Sequence, residues 1–198
     1  MSKINFEQLL AIHCAPTFKG LRVGNLISFK KDTFSSLQEL FDEYLPCFAC
    51  KGIAITVLAE SEHRLLVFFY RRKQLMQILS EKHVLKFLSH LGYKKSNTLD
   101  EHLNFLRTRA THYFQLTEQG ISSDFPHEMG LFLGYPYEDV IGFIKNHGKK
   151  FSFSGYWKVY AHEKETRQLF QDYTSCTLDF CQKLNNGTPI EELLEAVG

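Results

Sequence analysis

Two apolar runs joined by a polar connector occur near the middle of the chain, in Gly52-Ile-Ala-Ile-Thr-Val-Leu-Ala-Glu-Ser-Glu-His-Arg-Leu-Leu-Val-Phe-Phe-Tyr70. The runs themselves are Ile53–Ala59 and Arg64–Tyr70, and the polar connector is Glu60–His63. Two strand-length runs separated by so short a polar segment predict a β-hairpin. Because both runs are almost continuously apolar, we expect central strands that are covered on both faces.

The segments on both sides of the hairpin are predominantly helical in pattern. Apolar residues recur at helical spacing in Phe6–His13, Leu99–Tyr113 and Leu169–Leu184, among other segments. Two further strands are predicted, at Asn25–Lys31 and Phe151–Tyr160. Helices neither alternate regularly with strands nor follow glycine-rich loops, which argues against a doubly wound nucleotide-binding fold.

These patterns together predict a single α+β domain spanning residues 1–198. We expect a small, mostly antiparallel sheet of about four strands, including one hairpin, packed with about eight helices. Pro16 is expected to end the first helix and Pro46 the second, because an internal proline disrupts a helix. A break is expected at Glu81-Lys82.

Composition and charge exclude several function classes. The chain has 23 Lys and Arg against 22 Asp and Glu, a net charge of +1, so it lacks the basic surplus typical of nucleic-acid or anionic-membrane binding. No stretch approaches the roughly 18 apolar residues of a membrane span, and the N-terminus does not resemble a signal peptide. Five cysteines, an odd number, indicate free thiols in a reducing compartment. We expect a cytoplasmic protein that binds neither nucleic acid nor membranes.

No metal site is predicted. Cys47-Phe-Ala-Cys50 is a lone cysteine pair, and a structural zinc site would need two more ligands at suitable spacing. His127-Glu128 resembles the start of a zinc-protease helix, but Leu131 stands where that motif requires a second histidine.

The first candidate site is His13-Cys14-Ala-Pro-Thr17-Phe-Lys19-Gly-Leu-Arg22, predicted to be a turn-rich stretch. Nearby cations such as Lys19 and Arg22 would lower the pKa of the Cys14 thiol and make it more nucleophilic. Cys14 is therefore a candidate catalytic nucleophile, with His127 or His13 as its base. The alternative interpretation is that Cys14 is a small buried apolar residue.

Two more segments carry groups suited to a binding site. In His127–Pro136, Gly130 and Gly134 lie four residues apart and would allow close approach of a helix or a ligand. In Gly155-Tyr-Trp-Lys-Val-Tyr160, strand alternation would place Lys158 and its neighbouring tyrosines opposite Trp157. Such an aromatic face with one cation suits a planar or anionic ligand. An ordinary aromatic-rich strand is the alternative.

Three motifs taken together resemble a bacterial family described only as a domain of unknown function and numbered 3793. The motifs are HCAPT…KG near the N-terminus, FPHEMGLFLGYPYEDVIGFI in the middle and GYWKVY near the end, and the resemblance covers roughly residues 8–185. It implies a cytosolic single-domain protein without an assigned activity.

The leading functional hypothesis is a pocket formed by the three motifs that binds a small planar or anionic ligand or cofactor of unknown identity. A cysteine-dependent enzyme using Cys14 is one alternative, and a haem-binding protein or one that docks a redox partner through aromatic side chains is another. The candidate catalytic residues are Cys14 and His127. The candidate ligand-binding residues are Lys19, Glu128, Tyr135, Trp157, Lys158 and Tyr160.

Overall fold

The predicted hairpin is present in the computed structural model as β2, Ile53–Glu60, and β3, Arg64–Arg71. Strand β1, Gly24–Lys30, pairs antiparallel with the other edge of β3, so the strand order is β1-β3-β2. Strand β3 is therefore central, and its two partners are the edges of this sheet. The register of β2 shifts between Val57 and Ala59, which marks a β-bulge.

Both faces of β3 are buried, as its continuous apolar run predicts. The same prediction is wrong for β2, which is an edge strand with four half-buried residues in its middle. Val67 and Phe69 point to one face of the sheet and Phe68 and Tyr70 to the other, and all four side chains are buried. Successive side chains of a strand alternate between its faces, so the sheet separates two hydrophobic cores.

The first core lies between the sheet and two long helices, α1, Lys3–Phe18, and α2, Phe34–Cys50. Aromatic rings dominate it. The Phe18 ring lies 5.2 Å from that of Phe48 and 6.4 Å from that of Phe69, measured between centroids. Much of the chain's large phenylalanine content therefore serves as core packing.

The second core lies on the opposite face of the sheet. Here the sheet packs against α5, Leu99–Glu118, and against the shorter helices α3, Arg72–Leu79, and α4, Lys82–His90. The predicted break at Glu81-Lys82 is confirmed, because it separates α3 from α4. Helix α3 begins directly after the last residue of β3, which the sequence pattern did not indicate.

Neither proline ends its helix, so both predictions of a helix end are wrong. Pro16 lies inside α1 and Pro46 inside α2. The Pro16 carbonyl accepts hydrogen bonds from the backbone N–H groups of Leu21, at 2.8 Å, and Arg22, at 3.1 Å. Burial of Phe18 at the end of α1 stabilises the last turn, and tertiary packing of this kind overrides local propensity.

The fourth predicted strand is instead a short hairpin. Phe153–Ser154 and Lys158–Val159 form β4 and β5, which share two residue pairs. The turn between them occupies Gly155–Trp157, and the hairpin packs on α8, Glu163–Asn185. Trp157 and Val159 are both buried, as predicted, but Trp157 lies in the turn and lines the same cavity as Lys158, so the predicted alternation of these two side chains is wrong.

The structure describes residues 2–31, 34–94 and 98–196, apart from the side chains of residues 34–36. These ranges contain a three-stranded and a two-stranded antiparallel sheet and form one α+β domain, which confirms the predicted fold class. Within them, no helix combines the length and the apolar character that a membrane crossing requires. The remaining elements are α6, Met129–Phe132, α7, Tyr137–Lys145, and α9, Ile190–Leu193.

Replacing Phe69 by alanine tests the central role of β3. We expect Phe69→Ala to lower the free energy of unfolding by about 3–5 kcal/mol, because it leaves a cavity where several rings meet. Urea denaturation followed by circular dichroism measures the change. Leu178→Ala, on the exposed surface of α8, is the control and should change stability by no more than about 0.5 kcal/mol. Similar losses in both variants would contradict this assignment of the core.

Candidate functional site

A cavity of about 550 Å³ lies between the helices α6 and α7, the β4–β5 hairpin and the sheet. Its volume falls within the roughly 300–1,000 Å³ that is typical of small-molecule sites. Most of the surrounding side chains are apolar or aromatic, with a few polar groups among them. The lining residues come mainly from the second and third motifs: Leu26, Phe125, His127, Met129, Gly130, Leu133, Tyr135, Asp139, Val140, Phe143, Ser154, Gly155, Tyr156, Trp157 and Lys158.

One wall of the cavity is formed by the turn between α6 and α7. Gly134 has a φ of +79°, a conformation that glycine adopts without strain, and it lies so close to Val23 that a side chain would clash. Gly130 is also restricted, since a Cβ there would lie 2.8 Å from Val140 and 3.0 Å from Tyr135. The two glycines that the sequence singles out therefore permit tight packing behind the cavity wall.

The opposite wall is held in place by the buried carboxylate of Asp139, in the first turn of α7. Its Oδ2 accepts a hydrogen bond from the Trp157 indole Nε1 at 2.7 Å. Its Oδ1 accepts the backbone N–H groups of Tyr160, at 2.7 Å, and Ala161, at 3.0 Å. Because buried polar groups need partners, these three bonds fix the β4–β5 hairpin against α7.

Trp157 is packed on two sides by other rings. Tyr135 stacks on it with centroids 4.6 Å apart and 24° between the ring planes. Phe170 of α8 approaches it edge-on, at 4.5 Å and 88°. This close approach requires Gly155 in the turn, because a Cβ there would lie 2.4 Å from the Phe170 ring. The tryptophan is thus fixed in one orientation at the cavity wall.

His127 lies on the cavity wall between two other aromatic side chains. Its ring centroid is 4.8 Å from that of Phe143 and 6.1 Å from that of Phe125. Among the described residues, neither imidazole nitrogen of His127 has a hydrogen-bond partner. A half-buried imidazole with free nitrogens can donate or accept a hydrogen bond to a bound molecule.

Lys158 brings a positive charge to the same cavity. Its ammonium Nζ donates a hydrogen bond to the Gly148 carbonyl at 2.8 Å. It also lies 5.0 Å from the Phe151 ring centroid and 5.6 Å from that of Phe143. An ammonium group has three donors, so one carbonyl acceptor leaves capacity for an anionic partner.

The structure brings together four of the eight predicted site residues. His127, Tyr135, Trp157 and Lys158 all line the cavity, although they come from two separate motifs. The other four do not line it and make contacts elsewhere in the fold: Glu128, Lys19, Tyr160 and Cys14.

Glu128 is a buried carboxylate with partners of its own. It forms an ion pair with Arg109 of α5, and the Tyr93 hydroxyl donates a hydrogen bond to it at 3.1 Å. Burial is the main cause that raises the pKa of Tyr93, and the Glu128 charge raises it further. Glu128 therefore links α6 to α5 rather than facing the cavity.

Lys19 and Tyr160 also lie outside the cavity lining. Lys19 is the C-cap residue of α1 and forms an ion pair with Glu195. The Tyr160 ring packs on Gly142, where a Cβ would lie 2.5 Å from it. The Tyr160 hydroxyl is buried without a hydrogen-bond partner among the described residues, and burial raises its pKa.

Cys14 lies inside α1, not in the predicted turn, and its side chain is fully buried in the first core. Burial raises the pKa of its thiol from the ordinary value of 9.0 to about 12, although a hydrogen bond with Asn25 and the charge of Arg22 act in the opposite direction. The thiol therefore stays protonated near neutral pH. This position argues against the predicted nucleophile and favours the alternative of a small buried residue.

Sequence reasoning missed the groups whose role depends on partners far along the chain. Asp139 holds the β4–β5 hairpin, a role that the sequence pattern did not predict. Phe143 lies inside the second motif but was not singled out there, and Arg109 lies outside all three motifs. In the part of the chain that the structure describes, no three His, Cys, Asp or Glu side chains are grouped so as to hold a metal ion.

Asp139→Asn tests the carboxylate that fixes the hairpin. An asparagine amide would point a donor at one of the three N–H groups, so we expect a loss of about 2–4 kcal/mol in the free energy of unfolding. The measurement is urea denaturation followed by Trp157 fluorescence. Glu138→Gln, an exposed neighbour in the same helical turn, is the control and should be nearly neutral. Equal effects would refute a special role for Asp139.

Thiol labelling tests the burial of Cys14. We expect a water-soluble alkylating reagent at pH 8 to modify the exposed Cys50 readily and Cys14 only after unfolding, because a buried thiol with a pKa of about 12 is protonated and inaccessible. Peptide mass spectrometry over a time course gives both rates. Comparable rates for the two cysteines in the folded protein would show that Cys14 is accessible.

Comparison with known proteins agrees with the motif evidence. The family model described as "Protein of unknown function (DUF3793)" matches residues 10–194. No curated protein and no solved structure matches the chain significantly. The matched range includes both motif segments that line the cavity, and it covers most of the chain. The chain therefore belongs to the DUF3793 family.

Proposed function

We propose that this protein binds a planar small molecule in the cavity between α6, α7 and the β4–β5 hairpin. The observation that carries the proposal is the cavity itself, about 550 Å³ in volume and lined by two separated motifs. Apolar pockets of this size with a few convergent polar groups are typical of small-molecule sites. A cytoplasmic location is part of the same proposal.

The walls favour a flat, unsaturated ligand. Tyr135, Trp157 and Phe143 present aromatic surface to the cavity from different elements. Aromatic rings bind flat ligands by offset stacking and by edge-to-face contact. The stack of Tyr135 on Trp157 and the three hydrogen bonds of Asp139 hold these rings in place before a ligand arrives. A preformed site reduces the entropy lost on binding.

The polar groups on the wall would orient the ligand. His127 offers nitrogens without partners among the described residues, and Lys158 offers a positive charge. Both lie near Phe143, so a ligand that stacks there would have its polar edge within reach of them.

The alternatives have less support in the geometry. A cysteine-dependent enzyme would need an accessible thiolate, and Cys14 is fully buried. Haem binding has one favourable observation, because His127 could act as an axial ligand from the cavity wall. Docking of a redox partner has weaker support: among the described residues, the aromatic side chains of Phe151 and Tyr156 are exposed, and Tyr156 lines the cavity.

Fluorescence of Trp157, the single tryptophan of the chain, provides a direct test. We expect at least one member of a panel of riboflavin, adenosine and haemin to quench this fluorescence in a saturable manner. The same ligand should raise the melting temperature, because a ligand that binds only the folded state stabilises that state. Haemin binding through His127 would also shift and sharpen the haemin Soret band, and His127→Gln should abolish that change.

A matched pair of variants localises the binding. Phe143→Ala removes aromatic surface from the cavity and should weaken binding by about tenfold. Phe114→Ala removes an equally half-buried ring that does not line the cavity and should leave the affinity within about twofold. No saturable response to any panel member, or equal weakening in both variants, would overturn the proposed function.

A further inference from the structure

We propose that Arg22 recognises an anionic group, a carboxylate or a phosphate, on the planar ligand. This inference rests on the proposed function, and it narrows the ligand to an anionic planar molecule. Arg22 lies next to the cavity, in the turn between α1 and β1.

Arg22 is a buried positive charge that has no negative partner in the described ranges of the chain. Only 7% of the residue is exposed, and no carboxylate among the described residues lies within ion-pair distance of its guanidinium. Its Nε is buried and has no hydrogen-bond acceptor. Because a guanidinium stays protonated in proteins, it cannot escape this cost by losing its proton. Buried charges without partners are strongly destabilising.

The other buried charges of the described chain are satisfied. Arg71 donates hydrogen bonds to the backbone carbonyls of Thr17, Phe18 and Lys51. Glu128 has its ion pair with Arg109. Arg22 differs from both, so its environment is incomplete in a way that a bound anion would correct.

The position of Arg22 connects it to the cavity. Its Nη2 donates a long hydrogen bond, 3.3 Å, to the Tyr135 hydroxyl. The guanidinium carbon lies 5.6 Å from the centroid of the Tyr135 ring and 6.0 Å from that of Tyr156. Both tyrosines line the cavity, so the guanidinium lies directly behind the cavity wall.

Tyr156 lies between the Arg22 guanidinium and the cavity. It is 39% exposed, and it lies in the turn of a hairpin that has only two residue pairs. Its hydroxyl has one long contact, 3.4 Å, with the Thr174 hydroxyl. A small rotation of this side chain would open the guanidinium to an anionic group of a ligand already stacked in the cavity. The planar fork of arginine then binds a carboxylate or phosphate through two parallel hydrogen bonds.

Aromatic contacts alone leave the imbalance in place. Cation–π contacts with two tyrosines offset part of the desolvation cost of the charge. They do not supply an acceptor for the buried Nε, which lies in the plane of the fork where an anion would bind.

The first experiment measures anion-dependent stability without any planar ligand. Inorganic phosphate and acetate, each compared with chloride at equal ionic strength, should raise the melting temperature of the wild-type protein. In Arg22→Met the apparent dissociation constant for phosphate should rise by about tenfold or more. Arg22→Lys keeps the charge but lacks the fork, so we expect an intermediate effect. If phosphate but not acetate raises the melting temperature, the site prefers phosphorylated ligands. If both raise it, the site also accepts carboxylates.

Lys73→Met is the matched control, because Lys73 is exposed on α3 and its loss changes the net charge equally. It should keep the wild-type response to phosphate. Arg22→Met should also be at least as stable as the wild type in chloride, since it removes an uncompensated buried charge. A merely structural arginine would instead lose stability equally in chloride and in phosphate, and that result would overturn the inference. So would a wild-type melting temperature that does not respond to either anion.

The second experiment separates this inference from the proposed function. Riboflavin and riboflavin 5′-phosphate share one planar ring and differ in charge. The inference is supported if the wild type binds riboflavin 5′-phosphate more tightly than riboflavin and Arg22→Met binds the two with equal affinity. If planar ligands bind saturably but Arg22→Met keeps the rise of the melting temperature in phosphate, the inference is overturned and the proposed function is retained. An Arg22-dependent phosphate response without binding of any planar ligand overturns the proposed function instead.

Discussion

The central strand β3 has both faces buried, and the rest of the structure is arranged around this constraint. A strand whose successive side chains all leave water needs an apolar layer on each side. Val67 and Phe69 pack toward α1 and α2, whereas Phe68 and Tyr70 belong to the opposite core. The edge strand β1 follows the same division, and Leu26 on its second-core side lines the cavity. The sheet thus forms part of the cavity lining through Leu26.

The aromatic wall of the cavity depends on a buried carboxylate outside the sheet. The β4–β5 hairpin has too few residue pairs to hold its own position, because isolated short hairpins are marginally stable in water. Asp139 accepts three hydrogen bonds from it, and α8 supports it through Phe170. The geometry of the aromatic wall is therefore fixed by one hydrogen-bonded side chain together with close ring packing.

The buried charged side chains differ in whether other groups of the protein satisfy them. Glu128 and Arg71 are fully engaged with protein partners, and both connect elements of the fold. Arg22 has one long hydrogen bond and two aromatic neighbours, but no carboxylate of the described residues lies within ion-pair distance of it. Because the cost of burying a charge must be offset by some partner, its position beside the cavity is the basis for inferring an anionic ligand.

Local pattern was enough to predict the hairpin, the long helices, the helix break before Lys82 and four lining residues of the cavity. Those features depend on side-chain periodicity and on motifs within a few residues, which a sequence displays directly. Tertiary structure alone decided that α1 continues through Pro16 and carries Cys14 into the core, because packing of Phe18 outweighs the local cost of proline. It also decided that Asp139 meets Trp157 and that Arg22 lies behind Tyr135, away from every carboxylate in the described part of the chain. Such pairings join residues far apart in the chain, and only the folded backbone determines which buried polar groups find partners.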